Sequence, residues 1–243
     1  MPMRPAMPAP ALAILHGGDR YLAANVEAVR VTAASLPDTR EKTRPLALAR
    51  QQIARLNPCH EDNYYLANGL LAWSGAVEDS NRILQAALEC RFWDEVPLFL
   101  HAINLVIFQH DRLGAAHRLE AAARRVQDNA SALHKMAIVL RSESIGDTRL
   151  ALDYLIGQRD SAREAGLRNM LEKRITRLHG LQTLRDAQSR YESRHGPLQR
   201  LQQLVEHGLL ERLPHDPLHL GYQLSDDRIV LNTLELPPME QRP

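Results

Sequence analysis

Residues 60–90 read HEDNYYLANGLLAWSGAVEDSNRILQAALEC, and they define the architecture of the chain. The carboxylates near the start favour the N-terminus of a helix, where the helix dipole is positive. Apolar residues then recur at helical spacing as far as Ser74 and Gly75, and a second helical set follows these two residues. The stretch therefore predicts two antiparallel helices joined by a tight turn at Gly75.

This helix pair has weaker copies further along the chain. Gly75, Asp111 and Gly146 lie 36 and 35 residues apart, and each is followed five residues later by a serine or an alanine. A period of about 35 residues is typical of arrays of helix pairs. The small residue lets the second helix pack closely against the first. We therefore predict three consecutive helix pairs over residues 59–165.

The repeat resembles the tetratricopeptide repeat, a unit of about 34 residues with small residues at the helix crossing and a closing proline. The match covers roughly Asn57 to Ala165. Where that repeat expects Trp, Gly and Tyr in its first helix, this chain has Tyr64, Asn68 and Leu71. The resemblance implies an all-α fold, a TPR-like α-solenoid of antiparallel helix pairs whose first helices line a concave face.

The sequence predicts five segments. A flexible N-terminal segment precedes an irregular first helix pair, the three TPR-like pairs, basic capping helices and a small C-terminal appendage. Their bounds are 1–18, 19–58, 59–165, 166–196 and 197–243. Pro45 is expected in the first turn of a helix over 43–56, where a missing amide donor matters least. Gly180 is a candidate break in the last apolar stripe.

The C-terminal appendage differs from the preceding helical segments because its sequence contains strand-like runs. A short helix is predicted between Gly196 and Gly208, and two strand-like runs at 222–224 and 228–231 predict a β-hairpin. This pattern resembles a C-terminal segment of bacterial envelope-associated repeat proteins, and it is similar to part of the globular heads of pseudopilins. The resemblance implies an extracytoplasmic relative.

Charge gives no overall attraction to nucleic acid, because 30 basic residues nearly cancel 29 acidic ones. One local surplus exists: residues 163–200 carry nine Lys or Arg against four acids. The preferred interpretation is the solvated face of a capping helix, and the alternative is a patch for an anionic partner. The residues of that basic patch are Arg168, Arg174, Arg177 and Arg185.

No pattern in the sequence indicates catalysis. The 11 histidines are scattered, and the best-spaced pair, His215 and His219, has Pro217 between them, which argues against the helix needed to align two metal ligands. Phosphate-binding and nucleophile motifs are missing. We therefore expect no enzyme activity, no metal site and no cofactor.

The two cysteines, Cys59 and Cys90, match no paired spacing for zinc or thiol redox chemistry. Both fall in the same predicted helix pair, so a disulfide between them is one alternative. Packed free thiols are the preferred interpretation.

The apolar run at 11–15 is too short for a signal-peptide core or a membrane span, so no transmembrane segment is predicted. Either the protein is not exported by a standard signal, or this chain lacks an anchor that its natural form carries. The cytoplasm is the default compartment, and an envelope-associated complex is the alternative.

The predicted function is a non-catalytic scaffold or adaptor that binds a protein partner, as a peptide or helix in a groove, within a bacterial envelope, secretion or pilus-like assembly. Nucleic acid is not expected as its partner. The same side chains at helical spacing could instead form core. An alternative is a regulatory or sensor subunit that binds a small ligand or nucleic acid through residues 163–200. The repeat register predicts that Asp62 lies on the concave face, and the residues predicted to bind the partner there are Tyr65, Trp73, His101, Leu105, Phe108 and Met136.

Overall fold

The computed structural model describes residues 6–33 and 40–233, without the side chains of 40–42. Within these ranges the chain forms eleven α-helices, one π-helical segment and a single two-stranded sheet, which confirms the all-α prediction. It divides into two compact units, residues 1–144 and 145–243. The α-solenoid arrangement stays a prediction.

The first unit consists of helices that pack mainly against their neighbours in sequence: α2 contacts α3, α6 contacts α7, and α7 contacts α8. The elements are α1 (Ala9–Leu15), α2 (Arg20–Ala33), α3 (Arg40–Leu56), α4 (Glu61–Ala67), a π-helical segment (Asn68–Ala72), α5 (Val77–Cys90), α6 (Val96–Phe108), α7 (Arg112–Ala123) and α8 (Ala130–Ser144).

Two expectations about the start of the chain need correction. Residues 9–15, part of the segment expected to be flexible, form α1, because Leu12 is buried in the first core cluster. Pro45 lies inside α3 and not in its first turn, because that helix already begins at Arg40. The apolar pattern marks only the part of a helix that faces a core, so it misses a polar first turn.

Turn chemistry explains where several helices begin. Gly75 has a φ of 84°, a left-handed conformation that glycine adopts without a steric penalty, and it precedes α5. His60 caps α4 by accepting a hydrogen bond of 3.3 Å from the amide of Asn63. Asp111 caps α7 in the same way, because its side chain accepts a hydrogen bond of 2.8 Å from the amide of Gly114. These caps satisfy amides that have no partner within the helix.

Small residues occupy the predicted crossing positions of the repeat. Ser80 in α5 and Ala116 in α7 are both completely buried. The first unit has two core clusters: one extends from α1 to α5 around Ile53 and Leu71, and the other from the end of α5 to α8 around Leu119 and Leu133. Burial of these apolar side chains is the main favourable term in folding the unit.

The second unit contains the elements α9 (Thr148–Ser161), α10 (Ala165–His195), α11 (Gln203–Glu206), β1 (Tyr222–Ser225) and β2 (Arg228–Leu231). The predicted hairpin is present, with an antiparallel register that pairs Tyr222 with Leu231. Asp226 and Asp227 both have positive φ, 48° and 59°, as a two-residue type I′ turn requires. The short helix is a single turn, shorter than predicted.

Gly180 does not break its helix, since α10 runs without interruption through it. A Cβ built on Gly180 would overlap the hydroxyl of Tyr222 and lie 3.1 Å from Cβ of Pro214. The glycine therefore provides space for the hairpin residue Tyr222. A break was the wrong expectation because the sequence does not show which distant side chain meets the helix.

Cys59 and Cys90 form a disulfide, so the preference for free thiols was wrong. Cys59 precedes α4 and Cys90 ends α5. In an antiparallel hairpin these two positions lie at the same end of the pair, and their Cα atoms are 5.3 Å apart.

Across the residues with described positions, no helix combines the length and the apolar character that crossing a membrane requires.

Candidate partner-binding face

Trp73 and Phe108 are the two predicted groove residues that the structure brings into direct contact. Their ring centroids are 5.3 Å apart and their planes meet at 87°, an edge-to-face arrangement favoured by the ring quadrupoles. Trp73 follows the π-helical segment and is 48% exposed, whereas Phe108 ends α6 and is half-buried. The pair presents aromatic surface to solvent from the turn after the π-helical segment and from the end of α6.

Tyr65 lies on α4 and is 43% exposed. Its ring stacks on Tyr64, with centroids 4.8 Å apart. Tyr64 is buried and its hydroxyl donates a hydrogen bond of 2.8 Å to Asp94. Desolvation, together with the hydrogen bond to Asp94, raises the pKa of Tyr64. Tyr64 therefore has a structural role, and it supports the exposed ring of Tyr65.

The remaining groove residues differ in exposure. His101 is buried, and desolvation, with a smaller contribution from Arg118, lowers its pKa to about 4. Its imidazole is therefore neutral near pH 7 and is not a surface contact. Leu105 is half-buried and packs on the second core cluster. Met136, on α8, is 38% exposed.

A buried amide network lies between the π-helical segment, α5 and α6. Oδ1 of Asn68 accepts hydrogen bonds from Nδ2 of Asn104, at 2.7 Å, and from the hydroxyl of Ser80, at 2.9 Å. Nδ2 of Asn104 also donates to Asn81 at 2.8 Å. Buried polar networks of this kind fix the register of packed elements. This one fixes α6, which carries Phe108, beside the segment that leads to Trp73.

The sequence analysis did not single out this network. Asn68 and Asn104 are separated by 36 residues, the period of the repeat, so the signal was present.

Two residues of the predicted basic patch differ sharply in environment. Arg168 is exposed on α10. Arg177 is buried, and its Nε lies 2.9 Å from Oδ2 of Asp216. Arg177 therefore neutralises an acid of its own unit and is not available to an outside anion.

The other two residues of the patch are half-buried. Arg185 donates hydrogen bonds to the carbonyl of Ile229, at 2.9 Å, and to the hydroxyl of Thr148, at 2.8 Å. Burial, with a contribution from Arg228, lowers the pKa of Arg185. Arg174 is half-buried on the same helix. The predicted basic patch is therefore not a continuous exposed surface.

A cavity that the sequence did not indicate lies in the first unit, with walls from α2 and from the start of α4. Its volume is about 620 Å³. Its lining residues are Asn25, Ala28, Val29, Thr32, Ala33, His60, Asp62 and Leu66.

Within 6–33 and 40–233, no group of three or more His, Cys, Asp or Glu side chains is arranged to hold a metal ion. His215 and His219 both lie exposed in a loop, with ring centroids 5.5 Å apart.

Comparison with known protein families, with curated proteins and with solved structures finds no match for this chain.

Proposed function

We propose that this chain is a non-catalytic scaffold that binds an apolar segment of a protein partner on the aromatic surface formed by Trp73 and Phe108. The observation that carries the proposal is the edge-to-face pair of the exposed Trp73 and the half-buried Phe108. Aromatic side chains held rigidly at a surface are the usual energetic anchors of protein interfaces. Because the two rings pack against each other, little conformational entropy is lost when a partner covers them.

The disulfide between Cys59 and Cys90 supports the cellular setting of the proposal. Disulfides form and persist in oxidising compartments and are rare in the reducing cytosol. We therefore place the scaffold in an extracytoplasmic assembly of the envelope, secretion or pilus-like kind, in preference to the cytoplasm.

The alternative, a regulatory subunit that binds an anionic ligand or nucleic acid through residues 163–200, has less support. Arg177 and Arg185 both make their hydrogen bonds within their own unit. Counterion release requires exposed cations that can reach phosphates.

Capture experiments test the proposal. The full chain is immobilised and exposed to an envelope extract at ~0.5 M salt, where exposed charge contacts are screened. We expect a specific partner to be retained by the wild type and lost on Trp73→Ala or Phe108→Ala, with circular dichroism unchanged.

The chain offers a matched control for this experiment. Phe92 and Trp93 form a second edge-to-face pair, with centroids 5.0 Å apart, and they are 67% and 54% exposed. They follow the end of α5, whereas Trp73 precedes its start, a separation of about 20 Å along a helix of that length. Trp93→Ala should retain the partner. Capture that survives Trp73→Ala but not Trp93→Ala would contradict the proposed face.

A further inference from the structure

His195 and His207 form a pair of neighbouring imidazoles in the second unit. Their ring centroids are 4.5 Å apart, and the ring planes are tilted by 49°. His195 is the last residue of α10 and His207 directly follows α11, so two helix ends bring the rings together. Both residues are exposed, and an ion in solution can therefore reach them.

A buried ring positions both imidazoles. Tyr191 lies one turn before His195 on α10, is 5% exposed and belongs to the core cluster of the second unit. Its ring centroid lies 5.0 Å from that of His195 and 5.2 Å from that of His207. Because the core holds the tyrosine, its contacts restrict how far the two imidazoles move relative to each other. Ligands that are held in place in this way lose less conformational entropy on binding.

The ring nitrogens of this pair are not engaged by the protein. Among the residues whose positions are described, no hydrogen bond or ion pair involves a nitrogen of His195 or His207. By contrast, Nδ1 of His16 contacts the carbonyl of Leu12 at 2.8 Å, and His60 accepts a hydrogen bond from an amide. A neutral imidazole has one nitrogen whose lone pair is free to bind a metal.

The separation of the two rings fits two ligands of one metal ion. Metal–imidazole bonds of about 2.0–2.1 Å place the ring centroids of two such ligands roughly 4.5–5.2 Å apart, for bond angles between about 90° and 110°. The observed 4.5 Å lies at the lower end of this range. The C-terminus of α10, where His195 lies, carries a partial negative charge that favours a cation.

We propose that His195 and His207 bind one divalent ion of a late first-row transition metal, with one nitrogen from each imidazole and water in the remaining coordination positions. Imidazole suits copper, nickel and zinc, whereas magnesium and calcium require oxygen ligands. In the described part of the chain no third His, Cys, Asp or Glu joins the pair, so the site is open. The bound ion joins the end of α10 to the end of α11. This inference does not depend on the aromatic surface of the first unit.

A second exposed pair of histidines provides an internal control. His215 and His219 have ring centroids 5.5 Å apart, but they lie in a loop. Within the ranges that the structure describes, no buried aromatic ring contacts both of them. We therefore assign the tighter binding to His195 and His207, whose rings share the contact with Tyr191.

Calorimetric titration of Cu²⁺, Ni²⁺ and Zn²⁺ into the full-length chain, without a histidine tag, tests the site. We expect one tight site per chain, with Cu²⁺ bound more tightly than Ni²⁺ or Zn²⁺. Excess Mg²⁺ should not compete. In NMR spectra, substoichiometric Cu²⁺ should broaden the imidazole signals of His195 and His207 before those of His215 and His219.

Matched variants separate loss of a ligand from loss of the fold. His207→Phe keeps a ring against Tyr191 and removes both nitrogens. It should weaken binding by at least about tenfold, since even groups that only orient metal ligands have effects of that size. His195→Phe should do the same, and His215→Ala should leave the tight site unchanged. All three positions are exposed, so circular dichroism should not change.

Three results would overturn the site. The first is the absence of saturable binding of all three ions by the wild type. The second is full binding by His207→Phe or by His195→Phe. The third is two equal sites in the wild type, one lost with each pair of histidines, because this would show adventitious binding by exposed imidazoles only. The Trp73→Ala capture experiment is performed with a chelator present, so either proposal can fail alone.

Discussion

Nε of Arg177 donates a hydrogen bond of 2.9 Å to Oδ2 of Asp216, and both side chains are buried. The Asp216 carboxylate also accepts hydrogen bonds from three backbone amides within residues 218–221. Nη2 of Arg177 donates in turn to the carbonyls of Gly221 and Asn232. The pair therefore joins the middle of α10 to the open end of the β-hairpin, where β1 begins and β2 ends.

Loss of one partner of this pair should destabilise the second unit. Arg177→Ala leaves a buried carboxylate without its cation, and we expect a loss of about 3–5 kcal/mol in the free energy of unfolding. Urea titration followed by circular dichroism measures it. The control is Arg200→Ala, because Arg200 pairs with Glu206 at the surface and is 60% exposed. Exposed pairs contribute at most about 1 kcal/mol, so equal losses in the two variants would contradict a central role for Arg177.

Stability should fall in acid because of Asp216. Desolvation opposes its ionisation, but the backbone hydrogen bonds and Arg177 outweigh this and hold the pKa of Asp216 below its ordinary value. The unfolded chain, with a pKa of about 3.9, then binds more protons than the native state. The stabilisation is complete above that value and is lost as the pH falls through the native pKa.

Unfolding midpoints measured between pH 2 and 6 check this expectation. Asp216→Asn should lower stability at pH 6 and flatten the decline in acid. An unchanged acid slope in the variant would show that other carboxylates control the transition.

Gly180→Ala should destabilise the second unit, because the added methyl group overlaps the hydroxyl of Tyr222. We expect a cost of about 1–3 kcal/mol. Gly157, on α9, has no atom within 4 Å of an added Cβ, so Gly157→Ala should be neutral or stabilise by up to about 1 kcal/mol. Thermal unfolding compares the two. Tyr222→Phe in the Gly180→Ala background should recover part of the loss, and no recovery would place the conflict elsewhere.

Reduction of the disulfide between Cys59 and Cys90 should destabilise the first unit. The bond closes a loop across 31 residues of sequence, for which chain entropy gives about 3–4 kcal/mol. Denaturant titration with and without reductant measures the difference, and the Cys59→Ala/Cys90→Ala variant should match the reduced protein and no longer respond to reductant. Free thiols that react with an alkylating reagent in the native, unreduced protein would contradict the bond.

Local patterns in the sequence predicted much of the fold. Periodic apolar residues predicted helices in the right places, and Gly75 and the gap between the strand-like runs at 222–224 and 228–231 marked turns that the structure contains. These features depend on neighbours in sequence, through backbone conformation and the spacing of side chains on one face. The same patterns placed the start of α3 too late, so that Pro45 was expected in its first turn. The first turn of this helix is polar and therefore lies outside the apolar pattern.

The candidate sites were harder to predict. Trp73 and Phe108 were both expected on one face, and their direct contact is in the structure. His101 was expected on the same face from the register of the repeat, but it is buried. His195 and His207 lie at the ends of different helices, so the periodicity of either helix does not indicate their contact. Periodicity indicates which residues share a helix face, but it does not show whether another element covers that face.

The sequence by itself determined the helical class of this protein, the helix pair over residues 60–90 and the hairpin near the end, because each follows from backbone preferences over a few residues. Only the tertiary structure decided that Cys59 meets Cys90, that Arg177 meets Asp216 and that Gly180 lies against Tyr222. These depend on contacts between residues distant in sequence, whose energies arise only once packing has removed water from around the charges and sulfur atoms.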